Sequence, residues 1–143
     1  MARIKIEIPE KIHDRLYIPV RITDVNYGNH MGNDALVGII HEARVQWLNK
    51  MEYDEMNIEG SSIIMSDLAV CYLSESFYGD KLEISMAVGD FTTAGFELYY
   101  LIETIRETKK ITIAKAKTGL VFYDYEAKKI AAIPANFKSR ISL

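Results

Sequence analysis

Between residues 34 and 51, apolar side chains recur at steps of three and four, at Leu36, Ile40, Ala43, Trp47 and Met51. That spacing predicts a helix burying one face, about 27 Å long at ~1.5 Å per residue. Asn33 or Asp34 stands where a side chain accepts the first free N–H groups. No other long helical pattern occurs. Ahead of it, RLYIPVRIT (15–23) is β-rich, with Pro19 marking an edge or an irregular end. Beyond residue 60 the period falls to two: Leu82, Ile84, Met86 and Val88 alternate with Lys81, Glu83, Ser85 and Ala87, the pattern of a strand with one wet face. IIMSDLAVCYLSESF (63–77), FELYYLIETIRE (96–107) and ITIAKAKTGLVFYDY (111–125) read as further strands, and a short tail follows around Pro134. One strand, one helix and four strands on short turns predict an α+β arrangement, an antiparallel meander with the helix across its concave face. Strands such as FELYYLI are apolar on both faces, so a subunit partner is expected to hide the surplus.

With 143 residues, 49% hydrophobic and 26% charged, the chain suits one domain, 1–143, with a real core. Its N-terminus, MARIKIEIPEK, alternates apolar and charged residues, and no segment approaches the ~20 apolar residues of a membrane span. These features predict a cytoplasmic protein. The single cysteine, Cys71, excludes an intrachain disulfide and reads as a small hydrophobe on a strand. Net charge is -3, so no global basic field exists to hold nucleic acid. The charge is uneven, however. Residues 1–105 carry 8 Lys and Arg against 17 Asp and Glu, a balance of -9; residues 106–143 carry 9 against 3, or +6. The basic third either meets a small polyanion or guards exposed strand edges.

Residues 24–48, DVNYGNHMGNDALVGIIHEARVQWL, crowd polar groups where the helix begins. N–H groups at a helix N-terminus are unpaired and partly positive, and a Gly-rich loop lets a ligand oxygen approach them, which makes an oxyanion hole. Acyl transfer also needs a carboxylate within reach of the same carbonyl carbon. Glu42 is the candidate: it lies off the buried stripe, flanked by Ala35, Gly38 and Gln46, with no cation three or four residues away. A merely solvated Glu42 is the plain alternative. Asp24 and Asn26 fit turn chemistry equally well, and His30 and His41 fit loop and flank positions. No standard metal-ligand spacing, P-loop, dinucleotide fingerprint or G-x-S-x-G elbow is present, so neither metal nor cofactor is expected.

VRITDVNYGNHMGNDALVGIIHEARVQWL resembles the opening strand, loop and helix of hotdog-fold acyl-CoA thioesterases of the 4-hydroxybenzoyl-CoA thioesterase type. Their pattern, D-x-D-x-x-G-H-V-N-N followed by a helix containing E-A-R, stands here as Asp24-Val25-Asn26, then Asn29-His30-Met31-Gly32-Asn33, with Glu42-Ala43-Arg44 downstream. YGDKLEISMAVGDF and AKAKTGLVFYDYEAKK also resemble the family's strands. The resemblance implies a hotdog fold, a five-stranded antiparallel sheet wrapped around one central helix, as a homodimer or homotetramer. The implied reaction is hydrolysis of an acyl-CoA or acyl-carrier-protein thioester. The usual catalytic Asp is replaced by Asn26, and an amide cannot act as base or nucleophile. On this reading Asn26 positions substrate or water, Glu42 activates the water, Asp24 and His30 shape the loop, and backbone donors lie around Met31, Gly32 and Asn33. Family dimers build each site from both subunits, so Lys109, Lys110, Lys115 or Lys117 of a partner is placed to meet CoA phosphates. A non-catalytic acyl-thioester binder is the alternative that Asn26 favours. A hotdog dehydratase fits less well, because its His-Gly-Pro spacing is absent.

Overall fold

The predicted helix forms as α1 (Asn33–Lys50) in a computed structural model that describes residues 3–143. Leu36, Ile40, Ala43 and Trp47 are buried as their spacing requires, and Ile39 and Leu48 widen the stripe. Neither Asn33 nor Asp34 caps the helix. Gly32 is the N-cap and no side chain bonds the first turn.

The strands are β1 (Asp14–Pro19), β2 (Ser62–Tyr72), β3 (Lys81–Phe91), β4 (Gly95–Arg106), β5 (Lys109–Asp124) and the two-residue β6 (Lys129–Ile130). β1 is an edge strand ending at Pro19, where a missing N–H is harmless. All pairings are antiparallel, in the order β1-β3-β4-β5-β2, with β6 added to β5. The meander expected of four strands therefore holds only for β3, β4 and β5. The β4–β5 turn places Glu107 and Thr108 at φ 49° and 69°, the left-handed pair of a tight hairpin. β2 pairs with β5 at the opposite edge from β1. Residues 73–80 must then cross the end of the sheet to start β3. Leu73 and Ser74 donate to the Ile113 carbonyl on the way, and Arg106 donates to the Glu75 carbonyl. This crossover passes the N-terminal end of α1.

The concave face of the sheet closes on α1 through Leu82, Ile84, Met86, Leu98, Tyr100, Ile102, Ala114, Ala116 and Phe122. One charge is buried in that core. Arg44 donates to Glu55 at 2.7 Å and to the Tyr100 hydroxyl at 3.3 Å, and Tyr100 meets Thr118 at 2.8 Å. Every member is partnered, as a buried ion requires. The tail is not irregular: α2 (Ala135–Ile141) drives Phe137 into Trp47, Tyr53, Phe96 and Phe122 beyond the C-terminal end of α1. On the outer face, Ile4–Glu7 line a groove with Ala69, Glu97, Tyr99 and Lys117. Among the described residues, no helix is long and apolar enough to cross a membrane.

Candidate active site at the helix entrance

A cleft of about 220 Å³ opens at the N-terminal end of α1. One wall is the loop His30–Asn33; the other is the end of β2 and the crossover, Tyr72–Ser76, with Ile113 behind. Backbone bonds lock the walls together: Met31 N–H donates to the Ser76 carbonyl at 2.7 Å and Gly32 N–H to the Asp24 carbonyl at 2.9 Å. Two of the three expected oxyanion donors are thus already engaged. The N–H groups of Asn33, Asp34 and Ala35 have no partner among the described residues, because the helical ladder starts with Leu36 donating to Gly32. Asn33 lines the cleft, and its own carbonyl accepts the Tyr72 hydroxyl at 2.8 Å. A helix N-terminus left open in this way stabilises negative charge that develops on a ligand oxygen.

The loop leading in is folded on itself. Asn26 Oδ1 accepts Gly28 N–H at 2.8 Å, Asn26 N–H donates to the His30 carbonyl, and Asn29 stands at φ 66°. Asn tolerates this left-handed backbone, which explains how it occupies the Gly position of the family pattern. The turn is tight at Gly28, where a Cβ would stand 3.2 Å from Asn26 Oδ1 and 3.3 Å from His30 Nε2. Those two side chains are therefore neighbours. Asp24 is buried, its carboxylate bonded by the Arg21 guanidinium and Arg21 N–H. Burial pushes its carboxyl up, but the Arg21 contacts outweigh this and hold it below the usual range. It braces the loop and does not line the cleft.

Glu42 does not converge with the entrance of its own helix. It is exposed, accepts a hydrogen bond from Gln46 at 2.8 Å, and lies outside the cleft. Nine residues separate it from Asn33, roughly 14 Å along the axis at ~1.5 Å per residue, and the backward lean of helical side chains recovers only part of that distance. Part of the basic third of the chain is partnered as well. Lys117 bonds Asp67 at 2.9 Å and Glu97 at 3.2 Å, and Lys110 bonds Glu83 at 3.0 Å. Carboxylates on neighbouring strands thus neutralise these two lysines. Lys117 does not guard an edge, since β5 runs between β4 and β2 there, whereas Lys110 lies on the start of β5, which pairs with β4 alone. Lys115 has no carboxylate partner among the described residues. It lies across from Cys71, which is half-buried on β2.

The profile of the thioesterase-like superfamily matches residues 20–141. The chain belongs to that superfamily. No curated protein matches it. Among solved structures, the PA2801 protein of Pseudomonas aeruginosa is 18% identical, with 92% of this chain and 99% of that one covered and a TM-score of 0.82. A 1,4-dihydroxy-2-naphthoyl-CoA thioesterase from Synechocystis is also 18% identical, covering 90% and 94% at a TM-score of 0.79. SAV2348 of Staphylococcus aureus, solved in complex with CoA, is 12% identical, covering 96% and 86% at 0.79. The fold is the hotdog fold, extended here by β6 and α2. The second wall of the cleft, Tyr72–Ser76, is not legible in the sequence of this thioesterase-like chain, where 63–77 reads as one strand although β2 ends at Tyr72. The polar run Ser74-Glu75-Ser76 after an apolar strand is the available signal of that strand end.

Proposed function

We propose that the chain hydrolyses an acyl-CoA or acyl-carrier-protein thioester in the cleft at the entrance of α1. The supporting observation is the uncapped helix start, with three free N–H groups, one of them in the cleft wall. The thioester carbonyl oxygen sits at the Asn33 N–H, where charge developing in the tetrahedral intermediate meets the helix dipole. One such donor is worth about 10²–10³-fold in kcat. The Asn26 carbonyl oxygen stays in its turn, leaving the amide Nδ2 to orient substrate or water. Asp24 with Arg21 keeps the loop in shape.

A carbonyl held by Asn33 cannot also meet Glu42 of the same chain, so Glu42 contributes only if a second copy carries it to the cleft. A homodimer, or a dimer of dimers, fits the open edge of β2, where Ile64 and Met65 are exposed. Lys109 and Lys115, which no carboxylate holds among the described residues, are then better placed to meet a CoA phosphate than Lys110 and Lys117, which would first have to leave theirs.

Thiol release measured across acyl-CoAs of increasing chain length, aryl-CoAs and acyl-carrier-protein thioesters tests the reading; turnover of at least one is expected. A chain that binds CoA but releases thiol from none is instead the acyl-thioester binder, the reading that Asn26 in place of an Asp favours.

A further inference from the structure

None of the three residues of the family pattern and helix flank supplies the attacking water with a base. Asn26 is an amide, Asp24 is held by Arg21 away from the cleft, and Glu42 is roughly 14 Å down the helix at ~1.5 Å per residue. Three titratable side chains line the cleft: His30, Tyr72 and Glu75. The Tyr72 hydroxyl is occupied by the Asn33 carbonyl, and burial pushes it further from ionisation. His30 is half-buried, and its ring is oriented. Nδ1 lies 3.3 Å from the Met31 carbonyl, which can only accept, so Nδ1 carries the hydrogen and Nε2 presents a lone pair. Nε2 is 3.9 Å from Glu75 Oε1, too long for a hydrogen bond and close to the span that one water bridges.

Building on that hydrolytic reading, we propose that His30 is the general base of the cleft and Glu75 its positioning partner. A water between them gives a proton to Nε2 as its oxygen bonds to the thioester carbonyl carbon. The carbonyl π electrons move to the oxygen, which the Asn33 N–H receives. The imidazolium formed in this step then faces the Glu75 carboxylate. As the intermediate collapses the C–S bond breaks and Nε2 returns the proton to sulfur, leaving an acid and a thiol. Base, donor and water site all belong to one chain, with backbone bonds from Met31 to Ser76 fixing the spacing of the walls.

The test is steady-state thiol release from acetyl-, hexanoyl-, benzoyl- and palmitoyl-CoA. His30→Asn keeps a donor for the Met31 carbonyl and His30→Gln keeps an amide near Nε2, so both preserve packing while removing the base. Each is expected to lose about 10²–10⁴-fold in kcat with KM little changed. Added imidazole is expected to restore part of the turnover of His30→Ala, a response that a structural role would not produce. Glu75→Gln loses roughly tenfold in kcat as the opposite charge disappears, and Glu75→Asp, which keeps the charge on a shorter stem, loses less. Wild-type kcat in both amide variants of His30, with turnover abolished in Glu42→Gln, overturns the assignment and hands the base to a second copy while hydrolysis stands. Absence of thiol release by wild type from all four substrates and from an acyl-carrier-protein thioester overturns the hydrolytic reading and the base with it.

Discussion

The two ends of α1 are built to opposite specifications. At the C-terminal end Met51 and Tyr53 N–H groups return to Leu48, Glu52 N–H returns to Asn49, and Arg140 from α2 donates to the Met51 carbonyl at 3.0 Å. Trp47, Tyr53 and Phe137 seal that end with aromatic contacts. At the N-terminal end, among the described residues, no side chain caps the helix and three donors stay free, and the neighbouring space is a cleft. An N-cap Ser, Thr, Asp or Asn typically contributes ~1 kcal/mol, and Asp34 lies close enough for its Oδ1 to stand 2.7 Å from where a Gly32 Cβ would be. The chain forgoes that stabilisation at one end while bonding the Leu48, Asn49 and Met51 carbonyls at the other. Leftover hydrogen-bonding capacity, more than the presence of polar residues, separates the candidate site from the rest of the helix.

Phe137→Ala should break the closed end most severely. A fully buried ring among four aromatic neighbours leaves a cavity costing about 3–5 kcal/mol. Urea unfolding is expected to show that loss, with the kcat of the folded fraction unchanged. Asn33→Pro sharpens the contrast at the open end. Pro is tolerated at the first helical position, and Gly32 already has the extended backbone (φ -68°, ψ 151°) that a residue before proline needs. Stability should stay within about 0.5 kcal/mol, while deletion of one oxyanion donor lowers kcat about 10²–10³-fold in a thiol-release assay. A kcat near wild type in this variant would remove the N–H of Asn33 from the mechanism. Arg140→Ala, which loses the bond to Met51 and the stacking on Tyr53, should cost about 1 kcal/mol in thermal unfolding and leave turnover intact.

The smallest effect concerns the crossover wall and acid. Asp80 accepts from Ser76, Phe77 N–H and Arg106, the last at 2.6 Å. Burial pushes its carboxyl up, yet those donors prevail and hold it below its usual 3.8. The folded chain therefore prefers the ionised form, so the stabilisation is complete above that usual value and is lost as pH falls through the lower folded value. Wild-type stability, followed by urea midpoint, is expected to decline in acid below about pH 4, and Asp80→Asn to decline less steeply over the same range.

Much of this plan is legible in the sequence. Leu36, Ile40, Ala43 and Trp47 announce the helix because one element's periodicity records its own buried face. Arg44 sits inside that face and could not be read as buried, since its partners come from a loop, Glu55, and from β4, Tyr100. β2 was recognisable as a strand, but its place beside β5 depends on pairings some fifty residues apart, which alternation does not encode. α2 offers only Phe137 and Ile141, four apart, too short a pattern to register. Lys117 looked free because the carboxylates that hold it, Asp67 and Glu97, lie on neighbouring strands. At the site, Asn26 and His30 stood out by their loop, whereas Glu75 meets His30 only after the crossover brings residues 73–80 back across the sheet.

That crossover makes one wall of the cleft a connection rather than a strand. Connections accept insertions and deletions that pleated partners reject, because few ladder bonds depend on their length. A chain with this plan can reshape what it admits by lengthening the stretch between Leu73 and Asp80 while the helix tip and its donors stay where they are, which gives evolution an adjustable jaw set against a fixed anvil.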